Sequence, residues 1–371
     1  MEMNFVWRTL TSISLFVLIA LELFGQNTDI WVSYYNSDHL YGYKNAKGEV
    51  MISPRFKGRS RKFDKVVAVL EETNSGYESY YMLKNGNKFG RDSVYVFGTE
   101  LDCESEGYIR FEDRQTEQVG MFNEFGEVAI PAEYNAITRF RNGLAFALMN
   151  AKKEYWDKND NHEGCNHWSW TGGEQVLINQ NNEVLVRITS FDRHIDLYSL
   201  TIQDAASTDP IRVSYLGTNG KYYSFIDKQK LFKAFLETAI LSDLSFENLS
   251  KHSYTSLVFW TEDDGWTSSS KEDFLKQNAQ LLRERLSILK TNKAEYFIGL
   301  VDSTPMPQAV REQLSEYYDN CGAWDVAKYP IYEIILTHRD EQNKRAFQDH
   351  FTFIQTKDEI KFISSTIREA K

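Results

Sequence analysis

The sequence predicts a mainly β chain with an α+β ending: an antiparallel β-hairpin repeat array, followed by a domain of helices and a bent antiparallel sheet. Three observations predict it. A motif recurs along the first half. The chain is rich in Tyr and Phe, 21 and 24 residues, whose flat rings suit half-buried strands. After about residue 210 the apolar pattern changes to a helical period. At 371 residues and 42% hydrophobic, the chain is too apolar for disorder and long enough for two domains.

In chain order, residues 1–25 come first. Ile13 to Leu21 is an apolar run broken only by Ser14, behind Arg8 and ahead of Gly25. That is the length of a secretory signal core. Glu22 closes the run short of the roughly 20 apolar residues a spanning helix needs. A signal peptide cleaved after Gly25 is therefore expected. The mature product would be exported (periplasmic, cell-surface or secreted), with no stable membrane insertion.

Residues 30–210 hold the repeat. The stretch Leu40 to Ile52 is echoed by Gln118 to Ile130, with Gly42 matching Gly120 (120 − 42 = 78), Gly48 matching Gly126 and Phe56 matching Tyr134. Phe63 to Ala68 is echoed in turn by Phe140 to Ala145. An offset of 78 is two periods of about 39, in the range of stacked supersecondary units. A degenerate copy lies midway, from Tyr81–Gly86 to Glu106–Phe111, and an eroded one at Val176–Val186, where Asn182 stands at the glycine position. Asn is the next best residue for a left-handed turn.

These residues resemble the WG repeat, in which an aromatic-Gly-aromatic strand, an Asn-Gly or Lys-Gly turn, a Val/Ile strand and a Phe-x-x-Gly-Leu-Ala segment follow one another. Residues 118–148 match best, and the likeness spans about 38–200. The departures are Tyr41 and Val119 in the Trp position and Pro54 one place later than Pro131. Physically, Met121, Val128 and Ile130 are expected to turn one face of the hairpin inward. Stacked hairpins then cohere by nearest-neighbour contacts and expose loops for binding.

Asn150 to Gly173 interrupts the repeat with Tyr155, Trp156, His162, Glu163, Cys165, His167, Trp168 and Trp170. His162, Cys165 and His167 are donors suited to zinc or copper. With no partner cluster elsewhere, the expectation is a plain loop and no metal. Trp156, Trp168 and Trp170 suggest an aromatic platform for a glycan or peptide; the competing expectation is that they pack over a sheet edge. Of the three cysteines, one pair at most can bridge. Cys103 with Cys165 is the least implausible pair because both lie in the repeat half, and unbridged thiols are the default expectation.

Residues 225–368 read as the second domain. A helix within Asp227 to Leu241, a strand at Tyr254 to Trp260, a charged loop at Thr261 to Ser270 and a helix opened by Ser270 with Asp273 come first. Strands at Ile331 to Thr337, Phe347 to Gln355 and Glu359 to Ser364 follow. This order resembles the nuclear-transport-factor-2-like superfamily, whose cone-shaped fold implies either an enzyme or a binding module. An active site there would draw on Asp302, His338, Asp349 or His350. Against it, Asp349 and His350 are adjacent and face opposite sides of a strand, and His338 to Glu341 reads as a hairpin tip. The sequence contains no nucleophile elbow, phosphate-binding glycine loop, His-Glu-x-x-His or Cys-x-x-Cys motif.

A net charge of −11 gives no electrostatic footprint for nucleic acid. The reading is an exported, non-catalytic interaction or scaffold protein, without cofactor, that binds a protein or envelope polymer through its array. The alternatives are a small-molecule or glycan binder, or an enzyme with a pocket in the C-terminal domain.

Overall fold

The computed structural model describes residues 29–156, 167–188, 194–291, 295–339 and 344–367. It is mainly β, with antiparallel sheets dominating. The first half is a succession of three-stranded units. Unit one is Trp31–Tyr35, Tyr41–Lys44 and Val50–Arg59; unit two is Val66–Thr73, Gly76–Leu83 and Lys88–Phe89. Unit three is Ile109–Asp113, Gln118–Phe122 and Val128–Tyr134; unit four is Leu144–Met149, Glu174–Asn179 and Val184–Ile188. In these four the second strand lies in the middle. Unit five is rewired: Tyr222–Asp227 lies between Ile195–Gln203 and Arg212–Leu216. The β-rich half therefore runs to Asp227 and does not stop near residue 210, because Arg212–Leu216 and Tyr222–Asp227 pair into its last sheet.

The turn between second and third strands has one recurring chemistry. The Asn45 backbone N–H donates to Glu49 O, Gly48 N–H donates to Asn45 O, and the Asn45 amide oxygen accepts from Lys47 and Glu49 N–H. Asn123 and Asn179 repeat every one of these bonds with Gly126 or Asn182 in the glycine place. Asn182 holds the left-handed conformation, φ 62°, which its short polar side chain tolerates. Left-handed turn residues stand at 48, 86, 126, 182 and 220, so the spacings are 38, 40, 56 and 38. The period of about 39 holds except where the insertion falls, and Gly220 marks a fifth turn.

The glycine in the second strand has a separate cause. A Cβ on Gly42 would lie 2.3 Å from Ile52 O, and one on Gly120 would lie 2.4 Å from Ile130 O. At both places the partner strand shifts register and folds its carbonyl over the glycine, a bulge only a missing side chain accommodates.

The expectation of one buried face per hairpin is corrected by the packing. Val67 and Val69 face the first unit's core with Tyr43 and Phe56, whereas Val66 and Ala68 face the third unit's Ile109, Phe111 and Phe122. Unit four divides likewise: Ala145, Val176 and Ile178 pack on Val119 and Ile130, and Leu144, Phe146 and Leu177 pack on Ile195 and Phe225. An interior unit is sandwiched by neighbours on both sides, so its strands are nearly continuous apolar runs. Each core is shared by two consecutive units, which is nearest-neighbour cohesion.

The second half opens with helix α1, Lys228–Phe235, capped by the Asp227 carboxylate, which accepts from the N–H groups of Gln229 and Lys230. A π turn, Leu236–Ile240, continues it. Helices α2, Phe246–Lys251, and α3, Lys271–Ile288, follow, and the Ser270 hydroxyl caps α3 through Asp273 N–H as expected. A short α4, Gln308–Gln313, comes later. Six strands form one sheet in the order Gly265–Ser270, Ser253–Thr261, Ile360–Thr366, Arg345–Gln355, Ile331–Arg339, Glu295–Val301. Only the Ser253–Thr261 and Ile360–Thr366 pair is parallel.

Two expectations here are corrected. Gly265–Ser270 is a strand and not part of a loop, and His338 lies within a strand and not at a hairpin tip. The edge strand Glu295–Val301 and α4 were not foreseen. The first three helices cover one sheet face through Phe232, Leu236, Leu275, Leu282, Tyr332 and Phe353. Within that layer a void of about 10 Å³ remains beside Ile240 and His252, and a recess of about 450 Å³ opens at its edge beside Leu236, Leu289 and Ile298. Part of the other face packs Val258, Ile354 and Ile363 under Leu314, Tyr317 and Trp324. Among the described residues, no helix is long and apolar enough to cross a membrane.

Candidate functional site

The insertion within unit four, between its first and second strands, builds an aromatic hairpin. In units two and three the corresponding links are the short turns 74–75 and 114–117; here residues 150–173 take their place. Lys152–Tyr155 pairs with Trp168–Thr171 as a separate two-stranded sheet. Its root is fixed. Ala151 N–H donates to the Asn135 side chain at 2.8 Å, and Lys153 Nζ meets both Glu117 carboxylate oxygens at 2.8 Å. The bond to Glu117 raises the Lys153 pKa.

Strand alternation then sorts the aromatics. Trp168 and Trp170 share a face with Tyr155 and Lys153, their rings meeting edge to face at 5.0 Å, with the Lys153 ammonium 4.4 Å over the Trp168 ring. Trp156 belongs to the other face. It stacks on His167 at 5.5 Å, and its indole N–H donates to the Ser169 hydroxyl. Trp156 is 69% exposed, Tyr155 42% and Trp168 38%; Trp170 is half-buried. The expected platform of three tryptophans is thus divided between two faces, a consequence of an even-odd offset that spacing alone does not reveal. Neither is the ring cluster buried against a sheet edge. His167 is exposed. His162 and Cys165 lie outside the described residues. Among those described, one grouping of metal-type donors exists, Asp102 with Cys103 and Cys321, and its two sulfurs are bonded to each other.

That bond corrects the cysteine expectations. Cys103 is bridged to Cys321, not to Cys165, and joins the two halves of the chain across 218 positions. The segment around Cys321 reaches over to the array: Lys62 N–H donates to Asn320 O at 2.9 Å and Lys62 Nζ to Tyr318 O at 2.6 Å. Asp319 to Ala323 copies the repeat turn, with Asp319 accepting through its side chain from Cys321 and Ala323 N–H and Gly322 closing on Asp319 O. Spacing within the repeat half could not disclose a partner lying outside it.

Beside the disulfide lies a buried ion network. Asp102, 1% exposed, accepts from Arg110 Nε at 3.0 Å and Nη2 at 2.6 Å and from Arg139 Nε at 2.9 Å. Burial alone pushes the Asp102 carboxyl up, but Arg110 and Arg139 outweigh it and hold the group at about 2. Arg139 also reaches Asp319 at 3.2 Å, and Arg141 lies 3.4 Å from Asp325. Behind them a cleft of about 500 Å³ opens between the halves, walled by Phe146, Leu197, Leu300 and Ile331, with Arg139, Arg141 and Lys228 at its polar end. Burial lowers the Lys228 pKa against the pull of Asp196 and Asp325, and its ammonium donates to Ala327 O at 2.7 Å. The arginines of this cleft answer to Asp102, Asp319 and Asp325, so it is an apolar space closed by a balanced network.

The four acid-base candidates fall in three places, and only His338 and Asp349 are brought together. Asp302 is exposed at the rim of the interdomain cleft. Asp349 is fully buried and meets His338 Nε2 at 2.7 Å with Arg285 at 3.5 Å. His350 points the other way, its Nδ1 3.0 Å from Glu333, in a recess on the outer sheet face. Opposite orientation of Asp349 and His350 follows the alternation expected from their adjacency.

No curated protein and no solved structure matches this chain. The family model described as WG containing repeat matches residues 120–152, which begin at the glycine under the Ile130 carbonyl and end on the first residue of the aromatic hairpin. The array carries a recognisable WG repeat in units three and four.

Proposed function

We propose that the protein is exported and acts by binding, with the hairpin Lys152–Tyr155/Trp168–Thr171 as the contact surface for a protein or envelope partner. The observation that carries this reading is the exposure of Tyr155, Trp156 and Trp168 on a rooted hairpin placed at the one break in the repeat period. Large aromatics held in water on a fixed support supply contact area with little further loss of side-chain freedom. Export is supported by the short apolar run ahead of Gly25 and by a disulfide, a bond that persists in oxidising compartments. A binding rather than catalytic role is supported by the separation of Asp302, the His338–Asp349 pair and His350 into three places. We read the C-terminal half as nuclear-transport-factor-2-like on its element order, used here as a support for the array.

The test is co-sedimentation of the full chain with the envelope fraction of the producing cells, against a Tyr155→Ser/Trp156→Ser/Trp168→Ser variant. The reading expects the variant to shift to the soluble fraction with its disulfide and thermal midpoint unchanged. Equal distribution of the two chains would remove the hairpin as the contact surface.

A further inference from the structure

The outer face of the C-terminal sheet is covered only in part. Val258, Ile331, Ile354 and Ile363 lie under α4 and the segment behind it. Farther along the same strands the covering stops, and the residues that continue that face are Trp260, Glu333, His350, Thr352, Ser364 and Thr366. The registers place them together: Val258 pairs with Ser364, Ser364 with Thr352, and His350 with Thr366. Trp266 joins them as the direct cross-strand partner of Trp260. Thr304 and Pro305, from the loop after Glu295–Val301, supply a wall, and the recess encloses about 350 Å³, within the range of small-ligand pockets.

Its chemistry is specific. Trp260 and Trp266 are 41% and 40% exposed, two indoles at one end of a polar floor. Thr352 and Ser364, 4% and 2% exposed, line the bottom of the recess as small polar residues. Glu333 and His350 are hydrogen-bonded at 3.0 Å, with side chains 23% and 35% exposed, leaving an acceptor and a ring nitrogen in reach of an occupant. An apolar ligand would leave the hydroxyls, carboxylate and imidazole unmatched, which costs affinity. An anion would meet Glu333. A neutral sugar ring suits every part: its C–H face lies on an indole and its hydroxyls exchange hydrogen bonds with hydroxyl, carboxylate and imidazole groups.

We propose that this recess is a saccharide-binding site for a neutral pyranose, distinct from the aromatic hairpin of the array. The test is titration of the full chain with maltotriose, cellotriose and N-acetylchitotriose, followed by calorimetry and tryptophan fluorescence. At least one trisaccharide is expected to bind. Trp260→Ala and Trp266→Ala should each weaken binding at least tenfold, Trp260→Phe less, and Glu333→Gln should weaken it with the near-ultraviolet spectrum preserved. The Tyr155→Ser/Trp156→Ser/Trp168→Ser variant should bind the sugar as the parent chain does. Absence of binding to all three sugars at 10 mM or about that level overturns the proposal. So does binding that survives both tryptophan substitutions, or binding lost only in the hairpin variant, which would move the sugar to the hairpin.

Discussion

Cys103 and Cys321 are joined by a disulfide across 218 positions, and the residues preceding each in the ion network, Asp102 and Asp319, are held by the same Arg139. The covalent and ionic links therefore clamp one point, where the turn at Asp319–Ala323 meets the segments that join units one to four, at Lys62, Cys103 and Arg139.

Replacing both cysteines, Cys103→Ser/Cys321→Ser, is expected to destabilise the chain by about 2–5 kcal/mol, since a bridge closing so long a loop removes much unfolded-state entropy. Denaturant melts with and without reductant measure it. The parent should shift on reduction and the variant should not. Thiol counting of the denatured, unreduced parent should find a single reactive cysteine.

Asp102 predicts a pH dependence. Its folded pKa of about 2 lies below the ordinary 3.8, so its stabilisation is fully present above pH 4 or about that value and is lost as pH falls toward 2. The amount is about 2 kcal/mol. Asp102→Asn should lose about 3–5 kcal/mol at pH 7, because Arg110 stays buried without its counter-charge. Urea midpoints between pH 6 and pH 2 test both: the gap between parent and variant should narrow as the pH falls.

Two glycines separate two kinds of constraint. Gly120→Ala places a methyl 2.4 Å from Ile130 O and 2.8 Å from Ala132 N, backbone atoms that move only with the bulge, and should destabilise by about 1–3 kcal/mol. Gly48→Ala meets nothing within 4 Å and carries only the left-handed penalty of about 1–2 kcal/mol. Chemical denaturation should rank Gly120→Ala as the worse of the two or as its equal; a clearly worse Gly48→Ala would contradict the bulge as the reason for the conserved spacing within this chain.

Asn123→Ala removes an amide oxygen that accepts from Phe125 and Glu127 N–H, and should lower stability by about 1 kcal/mol. Asn182→Ala should do more than strip a turn residue. It also deletes bonds to the Tyr134 hydroxyl at 2.7 Å and to Glu133, so a larger loss is expected in the same assay.

The repeat was legible because its period is written in residues with one physical job each: Gly42 and Gly120 under a carbonyl, Asn45, Asn123 and Asn179 folding the turn. Packing on both faces was less legible, since runs such as Val66–Val69 read equally as one-sided strands with filler. The fifth unit was not legible, because its strand order changes and Tyr222–Asp227 moves to the middle. The partner of Cys103 lay beyond the repeat half and carried no local signal. Trp156 was grouped with Trp168 and Trp170 by proximity, and the pairing register set it on the opposite face. Trp260 and Trp266 drew no notice because their stretch read as a strand running into a loop, not as two strands of a hairpin.

The proposed function has the aromatic hairpin touching a partner in the cell. A photoreactive phenylalanine analogue placed at position 156, with a control at the exposed Phe125, tests it directly in producing cells. A discrete cross-linked adduct is expected from position 156, absent from position 125 and lost when Tyr155 and Trp168 are changed to Ser. Equal labelling at the two positions, or an adduct indifferent to Tyr155 and Trp168, would contradict it.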